Sequence, residues 1–153
     1  MSKIGKSKPK SSKKLFKDKN IEVILNNDNN SIEFRFKKYI SSEGFKKELD
    51  QVYDCFFVEG CKKALCDMRK MGAIPPEAQQ WIDTTWMPRM IHLGVKTLAF
   101  VTPSSASIEY TIDQVREQRA EKEAQAGVKT FFYSTIEAAR DCLTSMVLEQ
   151  EEE

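Results

Sequence analysis

The side chains that could do chemistry are few and widely spaced. The chain of 153 residues has four cysteines, Cys55, Cys61, Cys66 and Cys142, and one histidine, His92. No two cysteines form a Cys-x-x-Cys pair, and a zinc site that includes His92 would need three of them. We interpret the cysteines as small buried hydrophobic residues in a reducing compartment, and we expect no metal site.

The sequence shows no arranged set of catalytic residues. Asp67 ends a predicted strand without a nucleophile beside it, and Arg69 is placed to pair with it. Ser104 and Ser105 open a predicted helix and could hold a small anion, although N-capping is their more common role. The Walker, Rossmann, His-Glu-x-x-His and Gly-x-Ser-x-Gly motifs are all absent. We therefore expect a protein that is not an enzyme, with no catalytic residue and no cofactor.

Hydrophobic periodicity predicts the elements that position these side chains. Alternating apolar residues predict a β-hairpin, with strands at 21–25 and 32–36. An amphipathic helix follows, capped by Ser41 or Ser42 and ended by Gly60. A short strand then closes on Asp67.

The second half of the chain alternates helices and strands. A helix over 75–93 contains Trp81 and Trp86, and its internal Pro88 predicts a kink. A strand at 96–102, a helix opened by the serines at 104–107, a strand at 128–133 and a final helix follow. Ser134 to Glu137 reads as a capping box for the final helix. The order ββαβαβαβα predicts a single α/β domain, a mixed sheet of about five strands with helices packed on it.

Charge divides the chain unevenly. Residues 1–19 hold eight lysines and one aspartate, a net charge of +7, and the remainder carries −6. We expect a disordered basic arm over 1–19, a domain over 20–149 and an acidic tail over 150–153. The arm either solubilises the protein or contacts anionic lipid or nucleic acid. Nucleic acid is disfavoured because Phe16 is the only aromatic residue in the arm.

Several residues together resemble a known family. They are Trp81, Trp86, Pro88, Arg89, Gly94, the strand 96–101 with Pro103 after it, and the run 132–139. Over residues 21–148 the chain resembles the SpoIIAA-like branch of the STAS fold, the fold of anti-sigma-factor antagonists. The CRAL-TRIO lipid-transfer domains are distant relatives of that fold. The resemblance implies a bacterial regulatory module that acts by binding another protein.

One departure from that family bears directly on function. Anti-sigma-factor antagonists are switched by phosphorylation of a Ser or Thr that follows an Asp at the end of a central strand. Asp67 stands at that place, but residues 64–82 contain no Ser or Thr. The charge that phosphorylation adds therefore has no acceptor there. We expect a protein-interaction module without this switch.

The expected surface for a ligand or partner lies around the helix 75–93 and the carboxyl ends of the strands. Its candidate residues are Asp67, Met68, Arg69, Trp81, Trp86, Met87, Ser104 and Ser105. The two tryptophans lie about 140° apart around the helix, so we expect Trp86 in the core and Trp81 partly exposed.

We expect a protein partner and a cytoplasmic location, with no secretory signal and no spanning segment. The alternative is a carrier or sensor of an apolar, lipid-like ligand, working peripherally at an anionic membrane surface. The sequence disfavours a nucleic-acid partner and leaves a homodimer open.

Overall fold

The structure is a computed structural model that describes residues 9–72, 74–103 and 128–151, with the side chains after residue 146 left out. The predicted third helix, which includes Ser104 and Ser105, lies outside the described residues. So do residues 1–8 of the basic arm and the last two residues of the acidic tail.

The described residues form one sheet with helices on both faces. The strands are β1 (Ser12–Lys17), β2 (Ile21–Asn26), β3 (Ser31–Phe36), β4 (Lys63–Asp67), β5 (Thr97–Val101) and β6 (Lys129–Tyr133). The helices are α1 (Ser42–Glu59), α2 (Pro76–Trp81), a π-helical turn (Ile82–Trp86), α3 (Met87–His92) and α4 (Ile136–Glu151).

The six strands lie side by side in chain order. The pairs β1–β2 and β2–β3 are antiparallel, whereas β3, β4, β5 and β6 are parallel. The expected mixed α/β sheet is therefore confirmed, but it has six strands where about five were expected. Because β3, β4, β5 and β6 run in the same direction, their carboxyl ends lie at the same edge of the sheet.

The additional strand, β1, corrects the expectation of a disordered arm over 1–19. Residues 12–17 pair with β2, with a bulge between Lys14 and Phe16. Leu15 and Phe16 pack against the hydrophobic core, while the lysines of the strand are exposed. A lysine-rich strand with a bulge is a common form of sheet edge, because both features discourage pairing with another chain. The composition alone resembles that of a disordered tail.

Each face of the sheet has its own core. One face packs against α1, α2 and α3 through apolar residues that include Phe34, Phe36 and Leu98. On the other face, Leu65, Ala99 and Val101 pack against α4 in a smaller cluster. The parallel strands β3, β4 and β5 are thus largely buried, which is typical of parallel sheets, whereas β6 is half-exposed.

The helix caps follow the sequence with one exception. The Ser41 Oγ accepts a hydrogen bond from Gly44 N at 3.2 Å, and Gly60 ends α1 in a left-handed conformation with φ of 73°. Both agree with the prediction. At the last helix, Thr135 Oγ1 accepts from Ala138 N at 3.2 Å. The cap is therefore Thr135 rather than Ser134, and the third residue after it is Ala138, so the predicted capping box with Glu137 is wrong and a simple cap takes its place.

The buried Glu48 of α1 and the half-buried Asp18 of the turn between β1 and β2 form a carboxyl pair. Glu48 is 3% exposed, and its Oε2 accepts from Asn20 Nδ2 at 3.0 Å. Burial raises the pKa of Glu48, and the neighbouring Asp18 raises that pKa further although the Asn20 bond lowers it. No donor reaches Glu48 Oε1. The raised pKa of Glu48 and the lowered pKa of Asp18 are the directions expected of two neighbouring carboxyl groups that share one proton, since both cannot be ionised at low cost.

We predict that Glu48→Gln increasingly stabilises the protein as the pH rises from about 4 to about 7. The raised native pKa means that Glu48 contributes stability below its unfolded pKa and loses that contribution as the pH rises through its folded pKa. The glutamine side chain keeps an oxygen that accepts from Asn20 and an N–H group that can donate to Asp18. Because it does not ionise, the variant does not lose stability as the pH rises.

Urea unfolding at several pH values measures the effect. Asp54→Asn is the matched control, since Asp54 is an exposed carboxylate on the same helix. A difference between Glu48→Gln and the wild type that stays constant with pH would refute the shared proton.

Candidate functional site

The first candidate region is the turn that follows β4 at the carboxyl edge of the sheet. Asp67 is 3% exposed. Its Oδ1 accepts from Arg69 N at 3.1 Å and from Arg69 Nε at 2.9 Å, and its Oδ2 accepts from Arg69 Nη2 at 2.7 Å. Both carboxylate oxygens are therefore held by a residue two positions away. This closed ion pair leaves Asp67 poorly placed to act as a general base.

The polar groups around this turn also bind within the chain. The hydrogen bonds that Arg69 donates to Asp67 raise the pKa of Arg69, and the charges of Asp67 and of Glu137 on α4 raise it as well. Met68 N donates to Val101 O at 2.7 Å, and Thr102 N donates to Tyr133 O at 3.0 Å. The carboxyl ends of β4, β5 and β6 are thus held together by the protein's own groups.

The second candidate region is the helix over 76–92, and its inner face is anchored by Trp86. The indole is 3% exposed, and its Nε1 donates to Leu49 O of α1 at 2.9 Å. Its ring packs edge-on against Phe34 of the sheet, with the ring centroids 6.3 Å apart. Arg89 lies 4.2 Å above the ring of Tyr53 in α1. These contacts fix the helix against α1.

Besides the buried Asp67, three of the residues predicted for a ligand or partner surface are in the core. Met68, Trp86 and Met87 are 2%, 3% and 9% exposed. This corrects their placement on a surface, and it agrees with the expectation that Trp86 belongs to the core. Methionine fills irregular gaps in cores because its side chain is long and unbranched. The sequence could not separate that use from a soft binding surface.

Trp81 lies half-buried at the border of the same helix, as predicted. It packs partly against the main core, and the π-helical turn begins at the next residue. In this turn Met87 N donates to Ile82 O, five residues back. Such turns are rare and often mark functional sites. Pro88 predicts an irregularity in the helix, and the structure has it as the π-helical turn. A wider turn accommodates the proline ring and the backbone N–H that proline lacks.

The outer face of this helix combines Trp81 with small polar residues. Thr84 and Pro88 are exposed and Thr85 is half-buried. Thr84 Oγ1 donates to Gln80 O at 2.9 Å, so this hydroxyl is bound within the helix. We name this face, formed by Trp81, Thr84, Thr85 and Pro88, the π-turn face.

The remaining reactive side chains do not converge on a site. The four cysteines are free thiols, and burial raises the pKa of Cys66 well above its ordinary value, with the charge of Asp67 raising it further. Within residues 9–72, 74–103 and 128–151, no group of three or more His, Cys, Asp or Glu residues is arranged to hold a metal ion. No helix in the same ranges is long and apolar enough to cross a membrane.

Comparison with known proteins does not extend this description. A scan against protein-family models, a search of curated proteins and a search of solved structures each found no match. Support for a function therefore comes from the geometry of the described residues and from the sequence.

The structure brings together only part of the predicted site. Asp67 and Arg69 are in direct contact, whereas Ser104 and Ser105 lie outside the described residues. Sequence reasoning missed the π-helical turn. The only available signal was Pro88 inside an otherwise regular apolar stripe, and that signal predicts an irregularity without specifying its form.

We predict that Trp86→Phe lowers the free energy of unfolding by about 2 kcal/mol, since it removes the hydrogen bond to Leu49 O and leaves a small cavity. Trp81→Phe is the matched control, because it makes the same chemical change at a half-buried position in the same helix. Trp81→Phe should lower the free energy of unfolding by less than half as much. Urea unfolding followed by circular dichroism measures both values, and a larger loss for Trp81→Phe would contradict the anchoring role of Trp86.

Proposed function

We propose that this chain is a non-enzymatic protein-interaction module of the SpoIIAA-like STAS type, which binds its partner without a phosphorylation switch. The observation that carries the proposal is the closed Asp67–Arg69 ion pair. It occupies the place where an open α/β sheet usually has its ligand site. A turn whose polar atoms bind one another suits a structural role better than a chemical one.

The topology supports the assignment to this fold. An antiparallel hairpin, β2–β3, opens the domain, and the parallel strands β4, β5 and β6 follow it in chain order. Helices connect β3 to β4 and β4 to β5, as the order inferred from the sequence requires. The edge strand β1 is an addition to that order.

The residues after Asp67 support binding without a switch. The position that the resemblance gives to a phosphorylated Ser or Thr is occupied by Met68, which is 2% exposed. Arg69 then neutralises the aspartate. A turn that is held by an ion pair and by a buried methionine stays in one conformation, so binding does not depend on a modification there.

We place the partner on the π-turn face. Its half-buried Trp81 offers a large apolar area with an N–H donor, a combination that is enriched at the centres of protein interfaces. The inner side of the helix is fixed by Trp86, so the outer side is presented rigidly. Rigid presentation lowers the entropy that is lost on binding.

The alternative is a carrier of an apolar ligand at a membrane surface. In the sequence, Trp86 and the nearby methionines suggest such a carrier. Met68, Trp86 and Met87 pack into the core, and the contacts of Trp86 with Phe34 and Leu49 are those of a structural residue. These contacts favour the protein partner.

Affinity capture from the native lysate tests the proposal, with the full chain as bait. We predict a stoichiometric protein partner that Trp81→Ala reduces at least tenfold. The matched control is Gln80→Ala, since Gln80 is exposed and adjacent. Thermal unfolding shows whether both variants remain folded.

Two other results would contradict the proposal. Native mass spectrometry of the purified protein could reveal a copurifying lipid, which would favour the carrier. Capture of no partner, combined with turnover of a small molecule, would favour an enzyme. A homodimer detected by light scattering and broken by Trp81→Ala would support the interaction role, with a second copy as the partner.

A further inference from the structure

A second surface, next to Glu48 of α1, carries an independent inference. Two loops lie side by side at the carboxyl edge of the sheet. They are the turn 17–20 between β1 and β2, and the segment 37–39 after β3. We name them together the lysine corner.

Hydrogen bonds hold the two loops in one body. Lys37 N donates to Asn20 O at 2.8 Å, and Lys37 Nζ donates to Asp18 O at 2.7 Å. Glu48 ties the same turn to α1 through its bond with Asn20 at 3.0 Å. The two loops of the lysine corner are therefore held together as one surface.

The corner is positively charged. It contains Lys17, Lys19, Lys37 and Lys38 and a single acid, Asp18, which gives a net charge of +3. The Oδ1 of Asp18 faces inward and accepts from Asn20 N at 2.8 Å and Ile21 N at 2.9 Å. Among the ion pairs of the described residues, none includes these four lysines. Lys37 is bound to Asp18 O, whereas Lys17, Lys19 and Lys38 are exposed and can meet a partner.

An aromatic side chain stands beside the lysines. Tyr39 is 61% exposed, directly after Lys38. Tyrosine prefers the boundary between water and the apolar part of a bilayer, because it has an apolar ring and a polar hydroxyl. Lysine side chains next to it can lay their alkyl stems along the same boundary with the ammonium groups among lipid phosphates.

We propose that the lysine corner docks the protein peripherally on an anionic lipid bilayer. The lysines provide the attraction to anionic headgroups, and Tyr39 enters the interface between headgroups and acyl chains. A single-stranded nucleic acid fits less well, since it calls for several stacking side chains along a groove and the corner has one aromatic residue. This surface does not include the π-turn face, so docking and partner binding can occur together.

Vesicle cosedimentation of the full chain tests the proposal. The test variant is Lys17→Gln, Lys19→Gln and Lys38→Gln together, all at exposed positions. The matched control is Lys62→Gln, Lys96→Gln and Lys129→Gln, which removes equal charge from exposed lysines at the amino ends of β4, β5 and β6. Vesicles of phosphatidylcholine with phosphatidylserine are compared with phosphatidylcholine alone, at low and at high salt.

We expect the wild type to bind the anionic vesicles and to be released by high salt. The corner variant should lose roughly a hundredfold in affinity, and the control at most a few-fold. Tyr39→Ser should lose several-fold at constant net charge. Circular dichroism confirms folding of each variant.

Several results would overturn the proposal. Equal losses in the corner variant and the control would show attraction to net charge alone. If the corner variant bound anionic vesicles as tightly as the wild type, the membrane contact would lie in residues 1–10 and not in the lysine corner. Tighter binding to a single-stranded oligonucleotide than to vesicles, lost in the corner variant, would make nucleic acid the occupant.

Discussion

The burial of β4 on both faces is the constraint on which the rest of the structure depends. All five of its residues are buried, including Lys63 at its start and Asp67 at its end. A buried charge is tolerated only with a partner. Lys63 Nζ donates to Leu143 O of α4 at 3.4 Å, and burial lowers the pKa of Lys63. Asp67 binds Arg69. The two ends of this central strand thus fix α4 and the turn after β4.

This requirement also limits the chemistry that is available at the carboxyl edge of the sheet. The groups that satisfy β4 are the groups that could otherwise do chemistry at the carboxyl edge of the sheet. Once Asp67 is bound by Arg69, the edge offers a stable platform, and we propose that binding uses surfaces carried by that platform. On one side the π-helical turn presents Trp81. On the other, Glu48 and Asn20 hold the loops of the lysine corner. Both surfaces rest on the same core.

The sequence predicts the parts of the fold that depend on regular patterns. The hairpin, α1 with its caps at Ser41 and Gly60, and the buried strands follow from periodicity. It misses β1, because edge strands carry the lysines that also characterise disordered tails. It misses the π-helical turn, because that turn reconciles Pro88 with the burial of Trp86, a matter of tertiary packing. The candidate site shows the same limit, since the sequence predicts the pairing of Asp67 with Arg69 but not the burial of the methionines around it.

The free energy of unfolding of Asp67→Asn tests the central claim most directly. If Asp67 serves the fold, the substitution leaves Arg69 without its carboxylate and weakens the turn after β4, so stability should fall by about 3 kcal/mol. If Asp67 were kept for catalysis, neutralising it would leave stability unchanged or raise it, because functional charges are often held at a cost to the fold. A variant as stable as the wild type, or more stable, would contradict a structural role for Asp67.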